Sequence, residues 1–142
     1  MKKQQPIIAF LYDFDKTLCT TDMEDYAFIP SLGMTPKEFW ALANGFGHAN
    51  RMDGILAYMY TMIQESEMRN LPFTRESLRE MGRDIVLYPG VQEWFGRINA
   101  FGEEQGGQVE HYVISSGLRE IIEGSGIRGE FKEIYDSEYY YD

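Results

Sequence analysis

The sequence predicts an α/β fold, a parallel sheet interrupted by a helical insertion, and three observations carry that prediction. The apolar run Ile7–Tyr12 is long enough for a strand and runs straight into "DFD". A second run, "HYVISSG", repeats the form, extended from His111 to Ile114 and then small and polar. Helical patterns fill the stretch between them, so strand and helix alternate along the chain.

Each element follows from local chemistry. Residues 7–12 are uncharged and read as a strand buried on both faces, as parallel sheets require. "TPKEFWALANGF" opens a helix with Thr35 as N-cap, Pro36 at the first helical position and Glu38 completing a capping box. "MDGILAYMYTMIQESEM" sets Met52, Ile55, Leu56, Met59, Met62 and Ile63 on one face at helical spacing. "TRESLREMG" is a shorter helix, capped by Thr74 and stopped by Gly82. Together these mark a helical subdomain over residues 21–88, too long for a simple crossover loop. Pro89-Gly90 then turns the chain into a helix whose apolar face is Val91, Trp94, Phe95 and Ile98. "LREIIEGSG" is the next helix and "FKEIYDSEYY" a third strand.

Composition narrows the function. The 142 residues fit one domain with a real core, 44% hydrophobic and 15% aromatic. A formal charge of −10 argues against nucleic-acid and anionic membrane surfaces. From residue 101 onward ten acids face three bases, so most of that charge lies in the last third. An anionic ligand therefore needs a local cation. Cys19 is the only cysteine, which excludes an internal disulfide and a cysteine zinc cluster and reads as a small, half-buried residue. No run approaches a membrane span, and the basic start "MKKQQP" precedes an apolar run broken by Asp13, so the expectation is a cytoplasmic protein.

The chemistry concentrates at Asp13 and Asp15. In an open parallel sheet, ligand sites lie beyond the carboxyl ends of the strands, where Asp13 and Ser115 both fall. Two carboxylates one residue apart converge if the chain coils after the strand, and then need a cation or a shared proton. Magnesium suits one or two carboxylates plus phosphate oxygens. With it, Asp13 can attack a phosphoryl group and Asp15 can protonate the leaving alcohol, then deprotonate water. The Ser115 hydroxyl and the backbone N–H groups of Ser116 and Gly117 can hold the remaining phosphate oxygens.

At these residues the sequence resembles the haloacid-dehalogenase (HAD) superfamily. "YDFDKTL", with Thr17 in a supporting place, matches that family's first motif, and "YVISSG" its second. The insertion resembles the cap of its phosphoserine-phosphatase-like members. The resemblance implies a Rossmann-like parallel-sheet core over residues 1–20 and 89–142, with a helical cap over 21–88. It also implies magnesium, Asp13 as nucleophile and the Asp15 backbone carbonyl as a further metal ligand. An acid at position 15 points to phosphatases or phosphotransferases rather than dehalogenases. The family's later lysine and acidic pair have no clear counterpart. Lys132, Asp136 and Asp142 are a poor compressed version, so the expectation is a core of about three strands, incomplete before the family's last ones.

Other residues take plainer readings. His48 and Arg51 sit in a solvated cap connection, Lys16 in a solvated turn. Asp22, Glu24 and Asp25 read as an acidic helix start, and Tyr139–Tyr141 as strand packing or a partner surface. The expected function is a magnesium-dependent phosphatase acting on a small phosphorylated metabolite. The alternatives are an inactive remnant that binds phosphate or metal, and a phosphoacceptor switch domain. An exposed first strand is expected to favour self-association.

Overall fold

The structure, a computed structural model, describes residues 4–142; the basic start of the chain lies outside the described residues. Three strands, β1 (Ile7–Tyr12), β2 (Gln108–Leu118) and β3 (Glu133–Ser137), form one parallel sheet in the order β1-β2-β3. Register runs from Ile7 opposite Gln108 to Tyr12 opposite Val113, and Tyr112 to Ile114 of β2 face Glu133 to Tyr135 of β3. β2 is longer than "HYVI" because it picks up again at Leu118, opposite Ser137, beyond an irregularity. Two more residues pass on β2 than on β3 across that gap, so Ser115–Gly117 bulges from the ladder.

Among the described residues there are six α-helices: α1 (Phe28–Ser31), α2 (Pro36–Ala49), α3 (Gly54–Met68), α4 (Arg75–Met81), α5 (Val91–Glu104) and α6 (Arg119–Glu123). Thr35 and Glu38 form the capping box that opens α2, with Pro36 in its first turn. Thr74 caps α4 through Ser77, and Gly90, at φ +91°, turns the chain into α5. The chain leaves the sheet and returns along paired backbones. Thr20 N–H donates to the Val86 carbonyl and Tyr88 N–H to the Leu18 carbonyl, at 3.0 Å each. The helices α1–α4 lie between those two crossings.

Three local expectations change. β1 is not buried on both faces: Ile7, Ile8 and Leu11 are half or more exposed, because β1 is an edge strand and only one face is covered. The buried face of α3 is Ala57, Tyr58, Thr61, Met62 and Ser66, with Leu56 60% exposed. Small side chains let α3 approach α2 closely, since a Cβ on Gly47 would stand 2.9 Å from that of Ala57. Gly82 does not stop α4 by a left-handed turn; its φ is −63° and the backbone continues as a short 3₁₀ turn. It is glycine because α6 crosses it, leaving no room for a Cβ against the Ile121 carbonyl.

The core is continuous, running from Phe95, Val113 and Ile134 at the sheet through Phe14, Leu118 and Ile121 to Phe28, Phe39 and Met62 of the helices. Each of these side chains is fully or almost fully buried. None of the helices among the described residues is long and apolar enough to cross a membrane.

Candidate active site

The site begins with Phe14. It is fully buried, so the two residues flanking it in the chain, Asp13 and Asp15, both turn away from the core. The Phe14 carbonyl then accepts from the N–H groups of Thr17, Leu18 and Cys19, coiling the chain immediately after the strand. Lys16 supplies the left-handed residue of that coil at φ +59°. Its ammonium is exposed and stands 3.6 Å from Asp22, a pair that contributes little.

Asp13 is exposed, with Oδ1 accepting from the Phe14 N–H at 2.8 Å. Asp15 is more enclosed, and its Oδ1 accepts from the Met23 N–H at 2.9 Å. Burial pushes the Asp15 carboxyl up to about 7 against that hydrogen bond, and Asp22, Asp13 and Asp25 push it the same way. Thr17 is exposed beside them. Cys19 is buried, its thiol pushed up to about 11 by burial, which makes it an inert packing residue.

The β2 bulge faces these acids. Gly117 N–H donates to Ser115 Oγ at 2.9 Å, and Leu118 N–H to the Met23 sulfur at 3.2 Å. A Cβ on Gly117 would run into the Met23 side-chain end, so a larger residue here needs Met23 to move. A cleft of about 360 Å³ opens between the sheet and the helices, lined by Asp15, Ser116 and Gly117 among others. Asp13, Thr17 and Ser115 do not line the cleft itself.

Several cleft residues are invisible to motif reading. Trp40, Asn44, Asp53 and Tyr58 come from α2, α3 and the turn between them. Trp40 Nε1–H donates to Asp25 Oδ1 at 2.9 Å, and Tyr58 O–H to the Ser116 carbonyl at 2.6 Å. Glu24 is not part of a solvated helix start. It is 1% exposed, its Oε2 has no hydrogen-bond partner, and burial followed by Asp15 pushes its carboxyl well above the usual range. The sequence signal for Tyr58 was a polar aromatic inside an apolar helical stretch, where a buried hydroxyl must find an acceptor. Asp53 shows itself as an N-cap, accepting from Ile55 and Leu56 N–H.

Other candidates fall elsewhere. His48 and Arg51 line an adjoining groove that shares Asn44 and Gly54 with the cleft. Lys132 lies just before β3 and pairs with Glu110 at 2.9 Å, so it does not reach the carboxyl ends of the strands. Asp136, near the end of β3, is held by Arg119 at 3.1 Å. Tyr139 crosses to α3, its hydroxyl donating to the Met59 carbonyl at 2.8 Å, while Tyr140 is 92% exposed. Among the described residues no three His, Cys, Asp or Glu side chains gather closely enough to form a metal cluster.

The model of the haloacid dehalogenase-like hydrolase family matches residues 10–142. An uncharacterized protein of Borreliella burgdorferi is 24% identical over 151 residues, which cover 98% of this chain and 52% of that protein. The chain thus spans about half the length of that curated relative. A HAD family hydrolase from Salmonella enterica serovar Typhi shares the fold at TM-score 0.60 and 17% identity, over 96% of this chain and 42% of that one. A phosphoserine phosphohydrolase-like protein from Francisella tularensis does so at TM-score 0.60 and 17% identity, over 98% and 61%.

Proposed function

The chain belongs to the haloacid dehalogenase-like hydrolases, and from that premise we propose a phosphatase that takes the phosphoryl group of a small phosphorylated metabolite onto Asp13. The observation that carries this reading is the shared cleft, with Asp15 from beyond β1 beside Ser116 and Gly117 from the β2 bulge. A carboxylate oxygen of Asp13 attacks phosphorus, and the bond from phosphorus to the ester oxygen breaks. The departing alcohol takes its proton from Asp15, whose carboxyl burial pushes up to about 7 in the metal-free protein. Once ionised, Asp15 accepts a proton from the water that attacks the aspartyl-phosphate, which releases inorganic phosphate and restores both groups. Ser115 Oγ and the N–H groups of Ser116 and Gly117 hold the other phosphate oxygens, with Thr17 supporting the turn.

A divalent cation fits the donor set here. Asp15 is crowded by the Asp13, Asp22 and Asp25 carboxylates, and among the described residues no lysine or arginine lines the cleft. The hard oxygens of Asp13 and Asp15 suit magnesium, which when bound offsets the charge of the phosphate.

A second reading has its own observation. No three-ligand cluster forms among the described residues, and Lys132 is committed to Glu110. On that reading the chain binds metal or phosphate without turnover. Hydrolysis of an aryl phosphate with magnesium, followed by acid quenching and mass spectrometry, separates the readings. The phosphatase forms a transient phosphoryl adduct on Asp13, and Asp13→Asn loses both adduct and rate. A long-lived adduct without turnover points instead to a phosphoacceptor switch. Turnover that persists in Asp13→Asn refutes the proposal.

A further inference from the structure

We propose that Tyr58 of α3 is a positioning residue that aims the Gly117 N–H at the phosphate site, coupling the helical insertion to phosphate binding. This rests on the reading of Ser115–Gly117 as the phosphate loop. The bulge has lost the ladder on β3 that fixes peptide orientation elsewhere in β2. Other groups must fix it. The Ser116 carbonyl and the Gly117 N–H belong to one planar trans peptide unit and therefore point in opposite directions. Tyr58 O–H holds the carbonyl at 2.6 Å, which turns the N–H the other way, where it donates to Ser115 Oγ at 2.9 Å.

The two groups assigned to phosphate thus satisfy each other until a ligand oxygen replaces Ser115 Oγ on the Gly117 N–H. Tyr58 keeps that donor aimed throughout the exchange. It is well placed to do so, being 7% exposed and joined edge-on to Trp40 at 5.6 Å, so its ring has little freedom. Without the hydroxyl, the peptide loses its anchor and rotation of the N–H away from Ser115 Oγ becomes cheap.

The same helix offers an internal control. Tyr139 O–H donates to the carbonyl of Met59, the residue after Tyr58, at 2.8 Å. That bond also ties α3 to the rest of the protein, and it does not touch the phosphate loop. Tyr139→Phe therefore removes a comparable stabilising bond without disturbing the Gly117 peptide.

The test is binding of inorganic phosphate in the presence of magnesium, by calorimetry, to the wild type, Tyr58→Phe and Tyr139→Phe. Tyr58→Phe should bind roughly three- to tenfold more weakly, the scale of one hydrogen bond. Tyr139→Phe should bind like the wild type, with both variants losing similar thermal stability. Equal affinity in Tyr58→Phe and wild type, or an equal loss in both variants, overturns the inference and leaves the phosphate loop standing. A wild type that binds no phosphate removes the loop assignment and this inference with it. A measurement on the wild type alone covers the case in which Tyr58→Phe does not fold. Phosphate should shift the Gly117 amide and the Tyr58 ring resonances together, and a shift at Gly117 alone overturns the coupling.

Discussion

The two faces of the sheet are built from alternate residues of the same strands, yet one is a core and the other is open. Under α5, Tyr12, His111, Val113 and Ile134 pack with Phe95 and Phe131, the rings of Tyr12, His111 and Phe95 lying within 5.1 to 5.8 Å of one another. On the other face Ile7, Leu11, Ile114 and Tyr135 are each more than half exposed. The β1–β2 and β2–β3 connections run in the same direction across the sheet, and right-handed crossovers put both connecting helices on one side. The difference teaches that apolar sequence marks a strand without saying which face is covered.

The contrast should be plain in mutational cost. Phe95→Ala removes a fully buried ring with aromatic neighbours on three sides and should cost about 3–5 kcal/mol in urea unfolding. Leu11→Ala, on the open face, should stay within about 0.5 kcal/mol in protein dilute enough to be monomeric. A large loss at Leu11 would mean that face is covered in solution.

β1 has no strand on its outer side among the described residues, and its open face is apolar, a combination that invites pairing with another chain. The 142-residue chain should self-associate in light scattering, and Leu11→Lys should shift it toward monomer. A wild-type monomer at high concentration would break the argument. Magnesium should bind weakly, in the range of about millimolar, because among the described residues no cluster of three ligands forms around Asp13 and Asp15. Micromolar affinity by calorimetry would show that another acid joins Asp13 and Asp15.

What the sequence made legible follows from how local each feature is. The strand run into Asp13, the capping box at Thr35 and Glu38, and the small residues after Ile114 each depend on neighbours a few positions away, so their patterns survive without tertiary context. The buried face of α3 did not, because the close contact with Gly47 favoured Ala57 over the larger Leu56. Glu24 looked like a solvated acid because nothing nearby in sequence announces that the insertion folds over it. Tyr58 was legible as helix packing, but its acceptor lies 58 residues away, and no local pattern encodes that meeting.

The faintest expected signal is the pH dependence of stability, in which the covered sheet face and the acid cleft pull in opposite directions. His111 sits in a chain of hydrogen bonds: Trp94 Nε1–H donates to Tyr12 O, while the His111 ring nitrogens meet Tyr12 O–H at 2.8 Å and Asn99 Oδ1 at 2.7 Å. Asn99 Oδ1 can only accept, so the His111 Nε2 carries the proton and its Nδ1 accepts from Tyr12. Burial lowers the ring from its ordinary 6.5, so its contribution is present above 6.5 and is lost as pH falls below it. Asp15 has the opposite sign. Its carboxyl is raised from 3.8 to about 7, so in metal-free protein its contribution is complete below 3.8 and is lost as pH rises through about 7. The two effects overlap just below pH 6.5 and hide each other in the wild type, which is why variants are needed. Asp15→Asn keeps the size and removes the titration, so its stability should hold where the wild type weakens toward pH 7. His111→Asn should instead flatten the acid side, losing less between pH 6.5 and 5 than the wild type does. Urea unfolding of the metal-free proteins across that range measures both. Curves for Asp15→Asn and wild type that stay parallel from pH 4 to 7 would mean the cleft does not hold Asp15 protonated, and the proton donor must then be sought elsewhere.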